Sequence, residues 1–270
     1  MQSITFGQCI GGAWKDAMRM VVKKPFMLLI LLVILACANY VKFSLPNAAL
    51  VGSSAWQGAG ISVARLMYTP LHLAVIFGLS VQVIRQSLLG NSALGSFAFF
   101  DESFWRYVGV NLLTGAIGGV TVLIAVVGII GAISPGNYDL ALISAWCLLG
   151  LLAVCAFFFI CIRQTVLYCH VAVGGRAGWR TAWSDTRGHF WTIWATLFVA
   201  GLPLWVLTVL DFIAIRMTGG HFGISSIWTF SLAITSALGG ILGTAVYAAA
   251  SAWVYRRFAS SLVVNRAPDY

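Results

Sequence analysis

Four histidines, six cysteines and seven carboxylates are what 270 residues offer for proton transfer or metal ligation. No H-E-x-x-H, G-x-S-x-G or P-loop spacing places any of them for metal-assisted hydrolysis, acyl transfer or phosphoryl transfer. The cysteines are Cys9, Cys37, Cys147, Cys155, Cys161 and Cys169, with no C-x-x-C pair. Four of them fall inside apolar runs, where a thiol packs as a small apolar side chain. His170, His189 and His221 fall in linking segments and read as surface residues. His72 differs. It sits seven residues into an apolar run that Arg65 opens, about 10 Å from the run's outer end at the rise of a helix. Asp211 closes another such run and Arg216 follows it. Ionisable groups within apolar segments usually face inward and pair. Arg65, His72, Asp211 and Arg216 thus make one candidate polar cluster. It would hold an anionic headgroup or relay a proton; its plainer role is a salt bridge between two helices. The pattern calls for no metal and no cofactor.

The elements that must position these residues follow from composition. Apolar residues make up 60% of the chain and charged residues only 9%. A soluble domain carries about a quarter charged residues. Mean hydropathy is +0.94, so the solvent for most of this chain is lipid. Six runs approach the roughly 20 apolar residues a spanning helix needs: about 26–44, 66–84, 107–132, 140–162, 190–210 and 227–254. They are too long and too evenly apolar for alternating barrel strands. The expected fold is an all-α polytopic bundle of six transmembrane helices, forming a single integral membrane domain. Lys15, Arg19, Lys23 and Lys24 precede "FMLLILLVILACA", and Ala36-Cys37-Ala38 resembles a leader cleavage site. The basic region is long for a leader, so the stretch reads as an uncleaved anchor.

Net charge is +9. Six alternating spans put thirteen of the sixteen Lys and Arg on the side of the N-terminus and leave Lys42, Arg65 and Arg216 on the other. The positive-inside rule then places both termini in the cytoplasm, with the chain multi-pass in a bacterial inner membrane. The excess suits an anionic inner leaflet. No basic soluble patch of the kind nucleic acid requires is present.

The phrases "IRQS" at 84–87 and "IRQT" at 162–165 stand at the inner ends of the second and fourth runs, 78 positions apart. Aromatics open the odd runs: Phe26, Phe104-Trp105 and Phe190-Trp191. Semi-polar stretches precede them. In one, Trp14, Ala17, Met18 and Val21 share a helical face while Lys15, Arg19 and Lys23 line another; in the last, Trp179, Ala182, Trp183 and Thr186 oppose Arg180, Ser184 and Arg187. Such helices lie at headgroup level. The expected unit is an interfacial helix followed by a helical hairpin, used about three times, over approximately 9–88, 89–173 and 174–260. Lys23, Lys24, Arg85, Arg163, Arg180, Arg187 and Arg256 are the candidate lipid-headgroup contacts. Gly115 with Gly119, and Gly239 with Gly243, form G-x-x-x-G pairs expected to bring helices close. Pro70 and Pro203 predict kinks.

The phrase "AWSDTRGHFWTIW" resembles one found before a span in bacterial six-span membrane proteins similar to the membrane domain of glycerophosphoryl diester phosphodiesterase. The matching residues are Trp183, Thr186, Arg187, Gly188, Phe190 and Trp191. "AWKDAMRMVVKKPF" resembles that group's opening helix. The resemblance implies a membrane-domain role without a hydrolase, because no long hydrophilic segment holds a soluble catalytic barrel. The group has no settled activity. The leading expectation is a non-enzymatic module that associates with membrane lipids or binds a membrane-protein partner. A carrier or permease for a lipid or small amphiphile is the alternative, and an intramembrane enzyme comes third.

Overall fold

A computed structural model describes residues 5–49, 55–90, 101–132, 140–176, 178–217 and 227–259. Among these the chain is all helical: α1 (Phe6–Lys23), α2 (Pro25–Ala49), α3 (Ala55–Leu89), α4 (Glu102–Ala132), α5 (Leu140–Ala172), α6 (Trp179–Asp185), α7 (Phe190–Met217) and α8 (Ile227–Phe258). Among the described residues five helices are long and apolar enough to cross a membrane, or six if the bent pair of α1 and α2 counts as one span. The protein is a multi-pass helical membrane protein. Three pairs of long helices succeed one another: α2 with α3, α4 with α5, and α7 with α8. A shorter helix stands before the first pair and another before the third. Of the stretch expected to fill that place before the second pair, 90–103, residues 91–100 lie outside the described residues.

Local chemistry sets several helix ends. Thr5 caps α1: its hydroxyl accepts from the Gln8 amide at 3.4 Å, and the Gln8 side chain accepts from the Thr5 amide at 2.9 Å. This reciprocal cap satisfies two donors that a helix start leaves open. Lys24 ends α1, and Pro25, with its fixed φ, starts α2. The two helices meet at 94°. Asp101 starts α4, accepting from the Phe104 amide at 2.8 Å. α3 and α7 continue through Pro70 and Pro203.

Contacts divide the chain into two compact units: Met1–Phe99 with Ala195–Trp253, and Phe100–Trp194 with Val254–Tyr270. In the first unit α8 packs through a stripe of small residues, Ala233, Ala237, Ala245 and Ala249, all buried around Ile241. Small side chains let helix backbones approach in lipid, where no hydrophobic force gathers helices. α1 is pinned to the end of α8. The Trp253 indole donates to the Asp16 carboxylate at 3.0 Å, and its ring lies where a Cβ on Gly12 would be. In the second unit α4 packs along α5. Gly118 makes room for Phe157 and Gly128 for Trp146. The outward faces of these helices carry Leu113, Ile117, Leu123, Val127, Leu151 and Leu152, each more than half exposed. Side chains of this kind belong against acyl chains.

Candidate functional site

The expected polar cluster is described only at His72; the side chains of Arg65, Asp211 and Arg216 lie outside the described residues. Around His72 the first unit builds a polar seam whose other members the sequence did not single out. Nδ1 of His72 lies 3.5 Å from the Tyr68 hydroxyl, one helical turn earlier, and the two rings stack at 5.4 Å. Tyr68 donates to the Asn39 side-chain oxygen at 3.1 Å. The Asn39 amide reaches the Ala233 carbonyl on α8 at 3.5 Å. Asn39 is 4% exposed, so these bonds replace water that it has lost. One seam therefore ties α2, α3 and α8. The signal for Asn39 was available: it is an amide inside the apolar run "ACANYV".

The glycine pairs do other work than close packing. A Cβ on Gly115 or Gly119 would meet nothing, and both residues are exposed. The close approach on α4 belongs to Gly118, on the neighbouring face. Gly239 and Gly243 also leave open space. They line a groove of 380 Å³ between α3, α7 and α8, with Ser80, Thr208 and Thr244 on its walls. Each of these hydroxyls donates to the carbonyl four residues earlier, at 2.7–2.9 Å. A second groove, of 640 Å³ and wholly apolar, runs between α2 and α8 past Leu32, Val33, Phe230 and Ile234.

In the second unit the "IRQT" phrase is not at a helix end. α5 runs on to Ala172 and buries Gln164, Thr165, Val166 and Leu167. Oε1 of Gln164 lies 2.8 Å from both the Thr114 and the Tyr168 hydroxyl, which joins α4 to α5. Arg163, one residue earlier, is only 7% exposed. Its guanidinium carbon sits 4.2 Å from the centre of the Trp183 ring and 5.3 Å from that of Phe159. Phe159 also meets Trp183 at 5.9 Å and Phe190 at 4.8 Å. Cation–π contacts contribute about 0.5–2 kcal/mol each.

The phrase that carried the resemblance is what builds this cradle. α6 presents Trp183. Thr186 is fully buried and donates to the Ala182 carbonyl at 2.9 Å, closing α6. Gly188 takes φ +80, a conformation that suits glycine, and the chain reverses into α7 with Phe190 in place. Arg187 faces solvent. His189 is exposed, as expected, and its ring lies 4.8 Å from that of Phe258. His170 corrects its expectation: it is buried, and Nδ1 lies 3.0 Å from the Tyr255 hydroxyl. The cause is the length of α5, which carries His170 into the packed end of the unit instead of a loop.

Among the headgroup candidates, Lys23, Arg180 and Arg256 are exposed and Arg85 is buried. Lys24 is half-buried in the break between α1 and α2, and that burial holds its ammonium below the ordinary lysine range. Among the described residues no three metal-ligating side chains gather in one place. No family model matches the chain, and neither a curated protein nor a solved structure does.

Proposed function

We propose that the protein is a non-enzymatic module of the bacterial inner membrane, with both termini cytoplasmic, that associates with anionic lipid. The observation that carries this reading is the right-angle elbow between α1 and α2. On this reading α2 is the span, and α1, bent from it by 94°, lies along the bilayer plane. α1 is built for that position. Cys9, Ala13, Ala17 and Met20 are buried against the protein. A second stripe carries the exposed cations Lys15, Arg19 and Lys23, and a third carries exposed Met18 and Val22. Apolar side chains beside cations fit the boundary between headgroup and acyl chain. Phe26, Trp105 and Trp191 are exposed at the starts of α2, α4 and α7, where aromatic residues anchor helices at the interface. The unequal spread of cations supports the orientation. The likeness to the phosphodiesterase-linked membrane domain is proposed on its short phrases alone.

Mass spectrometry of lipids co-purified with the full chain tests the reading. Enrichment of anionic phospholipid over the bulk membrane is expected, reduced by the combined variant K15Q/R19Q/K23Q. A bound population identical to the bulk in both proteins contradicts it. The groove between α3, α7 and α8 favours a second reading, a carrier for a small amphiphile. The hydroxyl protons of Ser80, Thr208 and Thr244 are committed to backbone carbonyls, so these three offer acceptors, beside the polar ends of Trp205 and Tyr247. Uptake of a labelled amphiphile into vesicles, abolished by Gly243→Leu, would support the carrier; transport-free vesicles would remove it.

A further inference from the structure

We propose that Arg163 is the centre of a binding site for a phosphate group, supplied by the headgroup of an anionic phospholipid. The site rests on the lipid-associated reading and gives it one address. A buried cation normally has a carboxylate beside it, because the cost of stripping its water must be met. Arg163 has none. The described carboxylates are those of Asp16, Asp101, Glu102 and Asp185, and none forms an ion pair with it. The charge that acts on it is a like one, Arg187. Its Nε is buried with no hydrogen-bond partner.

The rings explain what remains available. Trp183 and Phe159 place their ring faces over the guanidinium carbon, at 4.2 and 5.3 Å from the ring centres. A ring face is a poor hydrogen-bond acceptor beside a phosphate oxygen, so these contacts leave the N–H groups without a strong acceptor. Among the described residues the two terminal nitrogens make no hydrogen bond or ion pair, and of this guanidinium only Nε is both fully covered and unpaired. They form a two-pronged donor, fixed in place and unanswered. That fork matches two oxygens of a phosphate end-on. Arg187 is a second cation that acts at this place. It follows α6. Arg257, whose Nη1 is also buried and unpaired, stacks on Phe258, and Phe258 meets His189. A phosphate, with more than one negative oxygen, suits the pair Arg163 and Arg187 better than a single carboxylate does.

The competing role is mechanical: Arg163 would only pin α6 to α5. The two roles separate in the purified full chain in neutral detergent. Phosphatidylglycerol in mixed micelles, inorganic phosphate and diacylglycerol are titrated separately, with affinity and Tm recorded. Wild type is expected to bind phosphatidylglycerol saturably and to ignore diacylglycerol. R163Q is expected to bind at least about tenfold more weakly, the scale of a lost charge-assisted hydrogen bond. Its ligand-free Tm should change little, because loss of the two ring contacts is offset by removal of an unpaired buried charge. R163K keeps the charge without the planar fork; it should also lose affinity, and it serves if R163Q does not fold. Competition by inorganic phosphate would assign recognition to the phosphate itself, and binding without competition to the lipid headgroup. Either upholds the site. Unchanged affinity in R163Q and R163K overturns it and leaves the lipid-associated reading standing. Failure of wild type to bind phosphatidylglycerol overturns both.

Discussion

The amino-terminal elbow and the Arg163 cradle hold cations in opposite ways. On α1, Lys15, Arg19 and Lys23 are exposed, and Arg19 is shared with Asp16 at 3.3 Å. Their charges sit in high dielectric and act on a surface as a whole, weakly and with strong dependence on salt. Arg163 is buried, held against two ring faces and fixed. A charge of that kind acts on one group at one place and is screened far less. A single excess of positive charge thus has two physical uses: attraction to a leaflet and recognition of a ligand. Charge counting sees only the first.

Four perturbations break or sharpen that contrast. The largest effect is expected from K15Q/R19Q/K23Q. At about 1 kcal/mol per cation near an anionic surface, it removes about 3 kcal/mol of attraction at low salt. In a vesicle-partitioning assay of a detached α1 peptide, high salt should erase the difference between wild type and variant. Phosphatidylglycerol binding through Arg163 in the full chain should survive the same salt. Next is Gly12→Ala. The new methyl group meets the Trp253 ring at 2.3 Å and drives the indole off Asp16. A loss of about 1–3 kcal/mol is expected, read as a lower Tm in detergent. Gly188→Ala attacks the cradle's turn. At φ +80 a Cβ costs about 1–2 kcal/mol, and proteolysis near α6 should accelerate. The smallest effect is expected from Trp183→Leu, which removes one π-face from Arg163 at about 0.5–2 kcal/mol. Its mark should be weaker phosphatidylglycerol binding with little change in Tm.

The helical bundle was legible because lipid permits few alternatives: an apolar run long enough to span must be a helix. Helix ends were less so. "IRQS" does lie near the end of α3, whereas α5 passes through "IRQT" for seven more residues. The residues that follow, "VLYCHVA", are apolar enough to lie in lipid or in protein, and hydropathy does not tell these solvents apart. For the same reason His170 was read as exposed. Glycine spacing misled in another way. A G-x-x-x-G pair marks where helices can approach, but α4 uses Gly118 and α8 uses its alanine stripe, faces that only the neighbouring helix selects. The cradle was half legible. Trp183, Thr186, Gly188 and Phe190 stood out as a phrase, and Arg163 as an interfacial cation. That they meet depends on a contact across the turn from α5 to α6, which no periodicity encodes.

The central claim, that α1 lies along the bilayer surface at right angles to a spanning α2, is tested most directly by depth-resolved crosslinking. A photoactivatable residue is placed at Val22 in one protein and at Arg19 in another, each reconstituted in anionic vesicles. The account predicts lipid acyl-chain adducts from position 22 and none from position 19. Acyl-chain adducts from neither position, or from both equally, would contradict it.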